Sequence, residues 1–254
     1  MKNSVKQDFE AIQNGTLQQK LQFFWDYYRW TVITAAVVMT IIISAVVSVV
    51  TAKDTFLSGI TLNSYSASPE APYGKLVEEF MDTRQADPAD WEFEINTSLV
   101  YSAAPDKVTE ENYQTIQRIG AQIAAHDLDF MTGDQGTMEA LAYSGMFVDL
   151  TTVLSETQLA LYQPYLHYID WAVVESETTV TALPDSAQPE SMQKPVPVFV
   201  DVSGCAYLAE GYEYLSEPLL FAIAVNAPQE ARAAALMDFL MSDVMAVSKN
   251  NLGG

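Results

Sequence analysis

The chain has one cysteine, Cys205, and only two histidines, His126 and His167, in 254 residues. A lone cysteine excludes an intramolecular disulfide, and so few sulfur and imidazole donors leave no spaced set for structural zinc. Basic residues are scarce too: 12 Lys and Arg stand against 33 Asp and Glu, a net charge of −21. So acidic a chain repels phosphate backbones, which excludes nucleic acid as a partner. The sequence has no Gly-x-Ser-x-Gly, no His-Glu-x-x-His and no phosphate-cradling glycine loop with lysine. It therefore carries no catalytic signature, and neither enzyme activity nor a cofactor is expected. No metal is expected either, since Asp127 and Asp129 lack the glycine and distal glutamate of a calcium loop. Cys205, between Gly204 and Ala206, reads as a small packed residue rather than a nucleophile.

Charge is missing altogether from Thr31 to Ala52. As a helix this run spans roughly 33 Å, enough for a hydrocarbon core of about 30 Å. Its many Val and Ile residues would suggest strand in water, but a lone strand cannot satisfy its backbone in lipid. The aromatic group Phe23, Phe24, Trp25, Tyr27, Tyr28 and Trp30 precedes the run, where amphipathic rings favour the headgroup layer. A cleaved signal peptide is the rival, with Val50-Thr51-Ala52 as its small-residue cleavage site. Signal peptides have short basic starts and shorter apolar stretches, so the segment reads as an uncleaved anchor. The lipid bilayer is thus the first partner, through residues 31–52.

Lys20 and Arg29 flank the head side of the run and Lys53 alone the other, which predicts a cytoplasmic amino terminus and an extracytoplasmic body. This is a single-pass protein of the cell membrane. Four cationic and three acidic side chains give the head a charge of plus one, leaving −22 on residues 53–254. Leu17, Leu21 and Phe24 recur at helical spacing, predicting a helix from about Leu17 along the inner interface. Three parts follow: a head at 1–30, a transmembrane helix at 31–52 and an α/β body at 53–254.

In the body, strand and helix alternate. Leu57 to Asn63 reads as a strand, and Ser68-Pro69 opens a helix carrying Leu76, Val77, Phe80 and Met81 on one face. Asp87-Pro88 ends that unit. Glu92 to Val100 alternates as a strand with one covered face. Thr109 is the expected N-cap of a helix burying Tyr113, Ile116, Ile119, Gly120 and Ile123. A third strand, Asp127 to Thr132, leads through Gly133 into a short helix with Asp134 as its N-cap and Gly145 as its stop.

The phrase His126-Asp-Leu-Asp-Phe-Met-Thr-Gly133, the helix to Gly145 and Phe147-Val-Asp-Leu-Thr151 together resemble the first lobe of an extracellular solute-binding protein of the type II periplasmic-binding-protein fold. Pro218-Leu-Leu-Phe-Ala-Ile-Ala-Val225 resembles that family's late strand, followed by Asn226 as cap, Pro228 near N1, and a helix burying Ala234, Ala235, Phe239 and Leu240. Gram-positive members are lipoproteins, and here an anchor stands where the lipidated cysteine would be. Between His167 and Pro218 lie about fifty residues, with expected strands at Trp171 to Val174, Thr178 to Ala182 and Val196 to Val202. They are too few for a second doubly wound lobe, so the second lobe is expected to be reduced or missing.

Ligands of such sheets bind at the carboxyl ends of the strands. That places the candidate ligand-binding residues at Asn63, Ser64 and Tyr65, at Thr97 and Ser98, and at Thr132, Gly133, Asp134 and Gln135. Tyr207, Tyr212 and Tyr214 are further aromatic candidates to line a cleft. The resemblance implies a membrane-anchored extracytoplasmic solute-binding-like module that presents or senses a small neutral or cationic solute beside a transporter. The alternative is a structural or adaptor protein using the same domain to dock a membrane protein partner.

Overall fold

The structure, a computed structural model, describes residues 16–50, 53–64, 73–102, 109–176, 185–209 and 218–252. It divides into two compact units, residues 1–52 and 53–254. In the first, Leu17–Val50 is one uninterrupted helix, α1, so the helix expected in the head is continuous with the apolar run. Its stretch Tyr28–Val47 is long and apolar enough to cross a membrane, and a signal sequence shares that length and composition. Thr34 and Thr40 donate their hydroxyls to the carbonyls four residues back, at 2.8 and 2.9 Å, which masks their polarity.

The second unit is mixed α/β. It is built from β1 (Asp54–Thr61), α2 (Gly74–Thr83), β2 (Trp91–Asn96), α3 (Glu110–Ala124), β3 (Phe130–Asp134), α4 (Gln135–Ala142), α5 (Leu150–Val153), α6 (Glu156–Tyr162), β4 (Leu166–Asp170), α7 (Trp171–Glu175), β5 (Pro195–Asp201), α8 (Ala206–Ala209), β6 (Leu219–Ile223) and α9 (Glu230–Leu252). One open sheet of six strands runs in the order β2-β1-β3-β6-β5-β4. β1 pairs in parallel with β2 and β3, whereas β6, β5 and β4 follow by antiparallel pairings.

The order 2-1-3 fixes where the first helices go. The connection from β1 to β2 steps one way along the sheet and that from β2 to β3 steps back, so right-handed crossovers put α2 and α3 on opposite faces. Accordingly Leu76, Phe80 and Met81 of α2 enter one apolar cluster, and Ile119 and Ile123 of α3 the other. α9 covers the α2 face through Ala233, Leu236, Met237, Leu240, Met241 and Val244. Phe130 anchors that face, stacked on Phe221 with ring centres 5.3 Å apart and edge-on to Phe93 at 6.1 Å.

Several expectations need correction. β1 begins three residues earlier than read and stops at Thr61, because Asn63 turns into the left-handed region at φ 56°. β2 ends at Asn96, four residues short of Val100, where an Asx turn takes over. β3 starts at Phe130 and runs on to Asp134, two residues past its expected end, because it pairs with β6 up to Leu219. Tyr113 is 59% exposed rather than buried, its place on α3 facing away from Ile119 and Ile123. Trp171 to Val174, read as strand, is the helix α7, since Asp170 caps it by accepting the Ala172 N–H. Asn226 does not cap α9: it sits in a turn at φ 61°, and α9 starts at Glu230. The α9 face is likewise rotated, with Ala234, Ala235 and Phe239 at its partly buried margin. Ser68-Pro69 and the strand expected at 178–182 lie outside the described residues.

β4 and β5 join the same sheet through β6, so among the described residues this stretch extends the first layer and builds no separate second lobe.

Candidate functional site

β1 and β3 are neighbours whose connections leave in opposite directions, and their carboxyl ends form the switch point where an open α/β sheet offers a crevice. Asn63 occupies it. Its side chain spans three segments: Oδ1 accepts the Tyr101 N–H at 2.9 Å, and Nδ2 donates to the Tyr101 carbonyl at 2.8 Å and to Asp134 Oδ2 at 2.9 Å. Its backbone N–H donates to the Leu99 carbonyl at 3.0 Å. Asp134, as expected, caps α4, its Oδ1 accepting the Thr137 N–H at 3.1 Å. The carboxamide thus has both hydrogens and its oxygen engaged by the protein.

Beside this latch lies a hydroxyl group cluster. Thr61 Oγ1 and Ser64 Oγ are 3.0 Å apart, and Ser64 Oγ donates to the Thr61 carbonyl at 3.1 Å. Tyr73 opens α2 in the left-handed region, φ 56°. Burial pushes its phenol up to about 12, with the Ser64 and Thr61 hydroxyls pulling the other way.

Of the predicted site residues, Asn63, Ser64, Asp134, Thr132 and Gly133 therefore meet at one place. Thr132 and Gly133 are buried in β3, and a Cβ on Gly133 would stand 3.3 Å from Leu62 and Met138. Thr97 and Ser98 belong to the turn after β2, where Ser98 donates both its N–H and its hydroxyl to Asn96 Oδ1. Gln135 points elsewhere, to Glu139 Oε1 at 2.7 Å and Ser186 Oγ at 3.1 Å. Tyr65, Tyr212 and Tyr214 lie outside the described residues. Tyr207 lies tilted against Phe239 with ring centres 5.1 Å apart and donates to Glu79, which is packing rather than a cleft wall. Replacing Asn63 separates side chain from backbone. Asn63→Gly should cost roughly 2 kcal/mol from the lost bonds, and Asn63→Ala about 1 kcal/mol more for its Cβ at positive φ. Chemical denaturation of the two variants checks the difference.

Two polar centres escaped the sequence reading. Asp170 is buried and accepts three backbone N–H groups, from Ala172 at 3.1 Å, Gln193 at 2.9 Å and Lys194 at 2.9 Å. Burial pushes its carboxyl up, but the donors from Gln193, Lys194 and Ala172 outweigh this and hold it below the usual range. Its place directly before Trp171-Ala-Val-Val is an N-cap signal that the β-branched pair obscures. The other centre is an open groove of ≈ 620 Å³ at the opposite, amino end of β1 and β3, with Trp91, Glu94, Gln122, His126 and Asp127 in its wall. At its base Asp129 is fully buried. Its two oxygens accept the Ser58 N–H at 2.8 Å and the Gln229 N–H at 2.7 Å, which ties the approach to α9 onto β1. Burial pushes the Asp129 carboxyl up, against those two donors and the charge of Arg232. Arg232 stacks over Phe56 and Trp91 at 4.6 and 4.7 Å.

Among the described residues no group of three His, Cys, Asp or Glu side chains could hold a metal ion. No protein family, curated protein or solved structure matches this chain.

Proposed function

We propose that the chain is a membrane-anchored extracytoplasmic module, a single lobe of the solute-binding type that docks a protein partner in the membrane. The observation that carries this reading is that β4 and β5 extend the one sheet instead of facing it. A solute clamp needs two lobes to close over the strand ends, and here the switch point is latched by Asn63 and Asp134. The order 2-1-3, with late strand β6 set antiparallel beside β3, supports the resemblance to one such lobe. The length and composition of Tyr28–Val47 support a membrane-inserting segment, and the flanking Lys20 and Arg29 support a cytoplasmic head.

The solute reading has one observation in its favour, the groove beside Trp91, so the two are separated by thermal melts of the full chain against sugars, amino acids, peptides and organic cations. Docking predicts no shift. A solute held at a hundred times its dissociation constant would add about 2.7 kcal/mol, and a rise in Tm that grows with the logarithm of its concentration would restore the solute reading. For topology, protease added to intact cells should remove the body and spare the head. A protected body would reverse the orientation.

A further inference from the structure

β4 is the last strand of the sheet, and the turn Asp185–Gln188 covers its outer edge: the Ser186 carbonyl accepts the Tyr168 N–H at 2.8 Å. An edge strand left bare presents a row of unpaired backbone groups, so what holds this turn matters. One buried cluster holds it. Ser186 is 1% exposed, its hydroxyl lies 2.7 Å from His167 Nδ1, and its backbone N–H donates to Glu139 Oε1 at 3.3 Å. Gln135 Nε2 donates to the same hydroxyl oxygen at 3.1 Å. Among the described residues Ser186 Oγ has no acceptor for its own proton other than His167 Nδ1, so the neutral state taken here has the hydroxyl donating to Nδ1 and the ring proton on Nε2.

We propose that protonation of His167 at Nδ1 releases the Asp185–Gln188 turn from the Tyr168 N–H on the outer edge of β4. An imidazolium has no acceptor, so the Ser186 hydroxyl loses the receiver of its proton in a place closed to water. The titratable groups acting on the ring are Asp201 of β5, Glu139 of α4 and Asp185 of the turn itself. Each is already engaged. Asp185 accepts the Ala187 N–H at 3.0 Å and Gln188 Nε2 at 2.8 Å. Glu139 accepts Gln135 Nε2 and the Ser186 N–H, and Asp201 accepts Ser203 through its N–H and hydroxyl. If Glu139 or Asp185 swings to meet the new charge, it abandons a bond that shapes the turn. Burial outweighs the pull of the three carboxylates and keeps the ring below its usual 6.5, so the turn is closed at neutral pH and opens on acidification.

The test is amide hydrogen exchange of the full chain in nanodiscs from pH 7.5 to 5, corrected for intrinsic exchange, with His167 followed by its ring nitrogen shifts. The expected result is that protection at Tyr168, Ser186, Ala187 and Gln188 falls at least tenfold as the ring titrates, while the β3 and β6 amides stay protected. His167→Asn keeps an acceptor oxygen near the Nδ1 position and should hold the turn closed across the range. Ser186→Ala should loosen it at both ends of the range. Unchanged protection while the ring titrates would overturn the proposal, as would an equal fall in His167→Asn. Should that variant not fold, the wild-type comparison of ring titration with local exchange still decides.

Discussion

Gly59→Ala is expected to cost the body roughly 3 kcal/mol of stability, and Gly59→Val to leave it unfolded. Gly59 pairs with Phe130 across β1 and β3, and the Phe130 ring lies over it. A Cβ built at Gly59 would stand 2.1 Å from Phe130 Cζ and 2.3 to 2.5 Å from the two Cε atoms. The ring has nowhere to retreat, because it is stacked on Phe221 and met edge-on by Phe93. Glycine is thus required here for space, as its backbone is ordinary strand. Chemical denaturation followed by circular dichroism measures the loss. The double variant Gly59→Ala, Phe130→Leu should be less unstable than the two single costs added together, since the smaller side chain relieves the clash. Strict additivity would mean that the ring does not lie over Gly59.

Asp170→Ala should cost about 3 kcal/mol by leaving three backbone N–H groups without their acceptor at a buried point. The effect reaches beyond α7, because Gln193 and Lys194 lead directly into β5, and the Asp170 N–H itself donates to Tyr143 Oη at 3.1 Å. Asp170→Asn should fall between the two, retaining one acceptor oxygen and setting an amide against a donor. The pH dependence has a definite sign. A carboxyl held below its unfolded value near 3.8 lends stability that is present above that value and lost as pH falls through the lower folded one. The gap between wild type and Asp170→Asn should therefore be constant near neutrality and narrow in acid. A gap that widened as pH fell would contradict the assigned role.

What was legible in the sequence was what local chemistry decides. Thr109 caps α3 by accepting the Asn112 N–H, Asp134 caps α4, and Gly145 takes the left-handed turn at φ 75°. Each is settled by residues a few positions away. Phe93 and Ile95 alternate inward because one face of β2 is covered. β4 was missed because Leu166-His-Tyr-Ile-Asp is short and carries polar residues whose burial depends on distant partners, Ser186 for His167 and Gln193 and Lys194 for Asp170. The candidate residues Asn63 and Asp134 were found separately, each at the end of a strand. That they bind one another 71 positions apart is tertiary information, and it joins two ligand-facing candidates into one bonded pair. The mixed direction of the sheet is equally non-local, since nothing within Leu219–Ile223 says that it runs against β3.

Photo-crosslinking of the full chain in intact membranes tests the docking reading most directly. A photoreactive residue is placed in turn at Tyr113 and Leu161, the most exposed large apolar residues among the described residues of the body at 59% and 52%. It is also placed at Glu92 and Glu156 as polar comparisons. A module that docks a partner predicts one protein neighbour, the same in every preparation, captured from a subset of these positions and lost from the others. Capture of unrelated neighbours from all four positions alike would contradict it.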